Sequence, residues 1–274
     1  MKKITFLIFI IITLLVGCGK KDLLSIHIID VGQGDSILIQ TQKNTNILVD
    51  GGNEDSSLII SKFIKSKKAK NLDLVIATHP DTDHIGSLDT VINKFKVSKL
   101  YLPNKNTNND SYYNLIKACN KKNIKPQYLS KGDIINLEDN LKLTILNPSY
   151  THEDSNSNSI VFKLDYKNKS FLFTGDATKE NEIEMINNFN LNDIDFLKVA
   201  HHGSKNSSTE EFLKSTTPDV AAISCGYDNT YGHPHKDTLL RLAQVNTKVY
   251  RTDKQGHISF YSDGNTITTT SPPD

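Results

Sequence analysis

The sequence predicts an α/β (α+β) protein in which two mixed sheets pack face to face with helices outside. Strand-like apolar runs fall into two groups with helical stretches interspersed, the pattern of two stacked layers. Aspartate or histidine closes an apolar run at several places, at Asp50, His79, Asp176, His201 and near His233, so polar chemistry gathers at strand ends. No linker divides the roughly 250 residues that follow the N-terminal segment, which suits one large domain over 23–274.

The chain opens with Lys2 and Lys3, an uninterrupted apolar run from Ile4 to Val16, and Gly17-Cys18-Gly19. A charged start and an apolar stretch too short to span a bilayer comfortably predict a processed leader over 1–17. Runs at Leu23 to Val31, Ser36 to Thr41 and Asn46 to Asp50 read as an antiparallel meander with Gly, Asn and Lys turns. A helix near Ser56 to Lys67, a buried strand at Leu74 to Ile76, a helix near Ser87 to Lys94, a strand at Lys99 to Leu102 and a helix over Tyr112 to Lys121 follow. The second group holds a strand at Leu141 to Leu146 and a hairpin of Ser159 to Tyr166 with Ser170 to Thr174. It continues with a helix over Lys179 to Asn188, a strand into Val199, a helix near Thr209 to Lys214 and a strand at Asp219 to Ser224. A helix near Lys236 to Gln244 and strands near Lys248 to Arg251, His257 to Tyr261 and Thr266 to Thr269 close the chain. Cys119 and Cys225 are the thiols beyond Cys18; Cys225 closes an apolar run and reads as a small buried hydrophobe.

His79-Pro80-Asp81-Thr82-Asp83-His84 puts two imidazoles and two carboxylates into six residues directly after a strand. On a loop the side chains need keep neither helical nor pleated spacing, so all four can turn toward one point, as a metal site requires. Pro-Asp-Thr-Asp is good turn chemistry by itself, but the flanking histidines add nothing to a turn. Gly51 and Gly52 after Asp50 let backbone approach closely. Asp30 to Ser36, with Gly32 and Gly34, reads equally as a tight turn supporting the Asp50 and His79 loops or as a segment bringing Gln33 and Asp35 to substrate.

These residues together resemble the metallo-β-lactamase fold hydrolases, and most nearly the extracellular hydrolase domain of the ComEC family. The resemblance rests on Asp30-Val31-Gly32-Gln33-Gly34-Asp35-Ser36, Val49 to Gly52, His79 to Gly86, Asn158-Ser159, Thr174 to Ala177, His201 to Ser204, Tyr231 to Pro234 and Arg251 to Asp253. It implies an αββα sandwich with two divalent metal ions, Mn²⁺ or Zn²⁺, at one edge. Carried over residue by residue, it implies that His79 and Asp81 serve one ion, Asp83 and His84 the second, and that Asp176 bridges them. Asp81 stands where the wider superfamily has histidine, and Ser155 to Asn158 stand where it has another, with His152 slightly early.

Two histidines compete for the last ligand: His233 lies 57 residues beyond Asp176 and His201 lies 25 beyond it. The longer spacing resembles the last ligand of phosphodiesterase members, so His233 is expected on the second metal. His201 is then expected to assist proton transfer, with Asp83 and Lys205 also catalytic and His202 structural. Asp50, Asp35 and Asn158 are expected behind the ligands, holding them by hydrogen bonds. Lys198, Ser204 and Lys205 border the His201 loop, each lysine by default solvated.

Leu15-Val16-Gly17-Cys18 resembles a bacterial lipobox, which implies lipid at Cys18, a short linker over 18–22, and a protein held to the outer face of the cytoplasmic membrane. The formal charge of +1 includes Lys2 and Lys3, so no global basic field advertises a polyanion and any such partner is met locally. The expected function is a metal-dependent phosphodiesterase or nuclease acting on DNA. The alternatives are an esterase of wall teichoic acid or phosphocholine, and a DNA-binding surface module that lost its chemistry. No obligate protein partner is evident in the sequence.

Overall fold

A computed structural model describes residues 23–105, 107–192 and 194–274. The expected leader over 1–17, the linker over 18–22 and the lipid attachment at Cys18 lie outside these residues. The first sheet begins with the expected meander of β1 (Leu24–Ile28), β2 (Ile37–Gln40) and β3 (Asn46–Val49). β4 (Asn71–Ile76), β5 (Lys96–Leu102) and β6 (Gln127–Tyr128) extend it in parallel.

The second sheet runs through β7 (Ile134–Glu138), β8 (Leu141–Asn147), β9 (Val161–Tyr166) and β10 (Lys169–Phe173), all antiparallel. β11 (Phe196–Lys198), β12 (Val220–Ile223) and β13 (Lys248–Arg251) follow in parallel. The chain then returns to the first sheet as β14 (Ile258–Ser262) and β15 (Ile267–Thr269), beside β1.

Alternation along the strands explains why the sheets stack. In β2, Ile37 and Ile39 point into the core between the sheets while Leu38 points to the helical side; β3 and β4 sort their residues in the same way. The second sheet sends Phe162, Leu164, Phe171, Phe173 and Phe196 into the shared core and Val161, Leu172, Leu197 and Ala221 outward. Phe162 and Phe173 stack at 4.8 Å with both rings buried. Truncating either to alanine is expected to cost about 3–5 kcal/mol.

α1 (Ser57–Ser66), α3 (Leu88–Lys94) and α4 (Asp110–Lys122) cover the first sheet. α5 (Lys179–Asn188), α6 (Glu210–Thr216) and α7 (Lys236–Gln244) cover the second, giving four layers in αββα order. Short α2 (Thr82–Ile85) sits at the sheet edge, and α8 (Thr252–Gln255) follows β13. Cys119 and Cys225 are both free and buried.

Two strands have no counterpart in the sequence reading. β6 spans two exposed residues, and β7 is an edge strand with a register shift between Asn136 and Glu138 and only intermediate burial. β6 is too short to show a period; β7 does alternate, with Ile135 and Leu137 packed on the shared core, but over too few residues to stand out from the surrounding loop.

Candidate metal centre

The carboxyl ends of β3, β4, β10, β11 and β12 meet at one edge of the sandwich. Ligands collect at such edges because the chain leaves each parallel strand there and loops supply side chains free of the ladder. Asp50, just past β3, has a left-handed backbone (φ 58°) and a fully buried carboxylate. Its Oδ1 accepts from Thr78 N at 2.7 Å and its Oδ2 from Thr78 Oγ1 at 2.7 Å, fixing the exit of β4. Oδ2 also lies 2.8 Å from His84 Nδ1.

The turn of α2 brings His84 back under the strand end, its amide bonding to Asp81 O at 3.0 Å. The Asp30 to Ser36 segment locks that turn from the other side. Asp35 N donates to Asp83 O at 3.1 Å, and a Cβ on Gly34 would overlap that same carbonyl oxygen. Gly34 has φ 135°, a conformation that already favours glycine.

Asp176 lies at the centre of the cluster. Its Oδ1 is 3.3 Å from His84 Nε2, and its Oδ2 is 3.7 Å from His201 Nε2, 3.7 Å from His202 Nε2 and 3.9 Å from His79 Nε2. The backbone amide of Asp176 donates to Ser159 Oγ at 3.0 Å, so β9 and β10 jointly aim the carboxylate.

His201 and His202 follow β11 in consecutive left-handed conformations, φ 49° and 54°. Such backbone strain is tolerated where surrounding contacts over-determine it. His202 Nδ1 bonds to Ser224 O of the neighbouring strand end at 2.9 Å, and its Nε2 stands 3.3 Å from Asp83 Oδ2.

Placement favours a different last ligand from the one that spacing suggests. His202, read as structural, enters the carboxylate cluster. His233 has its Nδ1 3.4 Å from Gln33 Nε2 and makes no ion pair with a carboxylate among the described residues. The signal that could have found His202 is the β12 carbonyl that turns its ring, a long-range contact with no trace in local spacing. His201, with its side chain 30% exposed, stands at the mouth of the cluster.

Asp81 lies toward the rim, its side chain 42% exposed, with Oδ2 3.7 Å from His79 Nε2 and Oδ1 accepting from Ser155 Oγ at 2.5 Å. Asn158 is buried but acts on the loop rather than on a ligand: its Oδ1 accepts from His152 N at 2.8 Å and its Nδ2 donates to His152 O at 3.0 Å. His152 stacks on Tyr150 at 4.2 Å and belongs to none of the clusters that could hold an ion.

Lys198 is not solvated. It is 1% exposed, with Nζ 2.7 Å from Asp35 Oδ2 and donating to Val199 O at 3.0 Å. Asp35 Oδ1 stands 3.5 Å from His202 Nδ1, so buried Asp35 supports the cluster from behind, whereas half-buried Gln33 reaches the edge of the site beside His233. Lys205 lies outside the cluster, exposed on the wall of an adjoining cleft of about 1190 Å³ that starts at His201.

The electrostatics call for a cation. Burial would lower the His202 pKa, but Asp176, Asp35 and Asp83 push it up to about 10. His84 is raised in the same way, against burial, by Asp176 and Asp50. Asp176 is held well below the carboxylate range, its burial outweighed by His84 and His202. In His79, burial and the His84 charge lower the pKa. Histidines that must take up protons to balance buried carboxylates occupy an environment a metal ion would satisfy instead.

The unpartnered atoms agree. His79 Nε2, His84 Nε2, His202 Nε2, Asp176 Oδ1 and Asp35 Oδ1 are buried without a hydrogen bond. Each such atom costs about 1–3 kcal/mol if nothing binds it. Two overlapping groups could hold an ion, His79 with His84 and Asp176, or Asp83 with His84 and His202; they share His84, whose one free nitrogen serves a single ion, and Asp176 stands beside both.

Comparison with known proteins is consistent with this arrangement. The family described as the metallo-beta-lactamase superfamily matches residues 29–227. ComE operon protein 3 of Bacillus subtilis is 32% identical over 253 residues, 86% of this chain and 32% of that protein. Recombination protein 2 of Haemophilus influenzae is 29% identical over 254 residues, 89% of this chain and 30% of that protein. The chain thus spans about a third of the length of these relatives. Among solved structures, the metallo-beta-lactamase fold protein YhfI from Bacillus subtilis shares the fold at a TM-score of 0.54 and 15% identity, covering 83% of this chain and 96% of that one.

Proposed function

The chain belongs to the metallo-β-lactamase superfamily of metal-dependent hydrolases, and from that premise we propose that it is a phosphodiesterase acting on DNA, anchored by lipid at Cys18 outside the cytoplasmic membrane. The observation that carries the chemistry is the set of buried, unpartnered nitrogens, His79 Nε2, His84 Nε2 and His202 Nε2, around Asp176.

In this reading His79, Asp81 and Asp176 hold one divalent ion, and Asp83, His84, His202 and Asp176 hold the second. When bound, two such ions polarise the phosphoryl group and lower the pKa of water toward neutrality. The residues of the chain supply the rest. Asp83 orients the attacking water, and its burial is outweighed by His202 and His84, which bring its pKa to about 2 and keep it anionic. His201 at the mouth, its Nε2 3.7 Å from Asp176 Oδ2, donates a proton to the departing oxygen.

A phosphodiester substrate is supported by the cleft beside His201, where Lys179 and Lys205 make no ion pair among the described residues although carboxylates and basic side chains line the walls in equal number. One relative is named for recombination and another, from Neisseria gonorrhoeae, as a competence protein, which favours DNA. The test is turnover of bis-p-nitrophenyl phosphate by purified protein with and without chelator. Chelator-sensitive turnover is expected. Metal-loaded protein that binds DNA but leaves the diester intact would make it a binding module instead.

A further inference from the structure

The loop between β12 and α7 carries two exposed aromatic rings, one of them beside the site, and the metal cluster uses neither. Tyr227 is 86% exposed and Tyr231 is 65% exposed. The loop beneath them is braced. Asn229 Nδ2 donates to Gly226 O at 2.8 Å and to His233 O at 2.6 Å, and its Oδ1 accepts from His233 N at 3.0 Å. Gly226 N donates to Gln33 Oε1 at 3.2 Å, and a Cβ on Gly226 would come within 2.9 Å of Gln33 N.

Tyr231 stacks on His233, with ring centres 5.7 Å apart and planes 19° apart. His233 in turn stands 5.6 Å from His201, whose Nε2 is 3.7 Å from Asp176 Oδ2. A flat face open to water therefore lies one ring away from the mouth of the metal centre.

His201 also lines a cleft whose four basic side chains, Lys179, Lys205, Lys214 and Arg241, are matched by four carboxylates, so only cations without a partner are free for phosphate. Lys179 and Lys205 make no ion pair with a carboxylate among the described residues, and Arg241 spends Nη2 on Lys205 O and Thr238 Oγ1. Cations for phosphates and open rings for bases are the combination that a single strand of nucleic acid requires. A duplex hides its base faces in the stack, and a glycerol-phosphate wall polymer has none.

We propose that the site takes single-stranded nucleic acid, with Tyr231 and Tyr227 stacking on bases next to the reacting phosphate; this rests on the phosphodiesterase reading above. Stacking one base on an aromatic side chain strengthens binding by roughly 5- to 150-fold.

The experiment compares binding of a labelled, nuclease-resistant thymidine strand with that of an abasic strand of the same length, by fluorescence anisotropy on the metal-loaded full chain. Wild type is expected to prefer the thymidine strand by at least the lower end of that range. The Tyr227→Ala/Tyr231→Ala double variant is expected to lose most of the preference, and Tyr231→Phe to keep it. Equal affinity of wild type for both strands overturns the proposal, as does a preference that survives in the double alanine variant. Stronger binding of poly(glycerol phosphate) than of thymidine would assign the site to a wall polymer. Failure of the underlying reading shows separately, as absent turnover of bis-p-nitrophenyl phosphate while the base preference remains.

Discussion

His84 Nδ1 bonds to the Asp50 carboxylate at 2.8 Å, and that one contact decides which ring nitrogen faces Asp176. With the proton on Nδ1 donated to Asp50, the lone pair of Nε2 points into the cluster. Asp50→Asn is close in shape but can present an amide N–H to Nδ1, which drives the proton onto Nε2 and removes the lone pair. Loss of such a partner behind a ligand typically costs 10–100-fold in metal affinity. Competition against a fluorescent chelator should show a loss in that range, with a thermal midpoint of the chelated protein close to wild type. Unchanged metal affinity would show that Asp50 serves only the backbone of Thr78.

His202 and His233 make opposite predictions. His202 Nε2 stands 3.3 Å from Asp83 Oδ2, whereas His233 makes no ion pair with a carboxylate among the described residues. His202→Ala should therefore lower the number of ions retained per chain after dialysis, measured by elemental analysis, and His233→Ala should retain the wild-type number. The reverse result would restore the ligand order that spacing alone had suggested.

The four-layer architecture was legible because the strands read as apolar runs in two groups with helices between them; Ile37-Leu38-Ile39 and β12 are apolar throughout because both faces of each strand are buried. The clustering of Asp50, His79 to His84 and Asp176 was legible because each closes an apolar run. The choice between His201, His202 and His233 was not. Two consecutive left-handed residues point their rings in directions that no strand or helix period describes, and Ser224 O selects the inner one. The burial of Lys198 was equally hidden, since its partner Asp35 lies 163 residues away in the chain.

Away from the cluster, His27 sets part of the acid stability. It is 2% exposed, packs edge-on against Phe63 and Tyr261, and has its Nδ1 2.7 Å from Ser259 Oγ. Burial, helped by the charge of Lys67, lowers its pKa from 6.5 to about 3. The unfolded chain then takes up a proton below pH 6.5 that the folded chain refuses until about pH 3. The contribution is present above the upper value and is lost as pH falls through that window. Urea unfolding of chelated protein should show wild type losing about 2 kcal/mol more than His27→Gln between roughly pH 7 and pH 5. Parallel losses in the two proteins would mean that His27 is protonated in the fold.

The last prediction concerns which ion works best. The two positions share three carboxylates, from Asp81, Asp83 and Asp176, and have no thiolate. The position nearer the rim is the harder of the two. With His84 given to the inner ion, it has one imidazole, from His79, whose Nε2 is 3.7 Å from the half-exposed Asp81 held by Ser155; neither Asp81 nor His152 falls in an ion-holding group among the described residues. Oxygen ligands and water suit Mn²⁺ or Mg²⁺ better than a nitrogen-rich cage does. The position of His84 and His202 has two imidazoles and keeps more zinc character. Chelated wild type should regain more phosphodiesterase activity with Mn²⁺ than with Zn²⁺. Asp81→His, which places a nitrogen where Asp81 stands, should shift the preference toward Zn²⁺ and raise Zn²⁺ affinity in a chelator competition independent of turnover. Wild type fully active with Zn²⁺ alone and indifferent to Mn²⁺ would mean that ligand hardness at Asp81 does not set the metal choice.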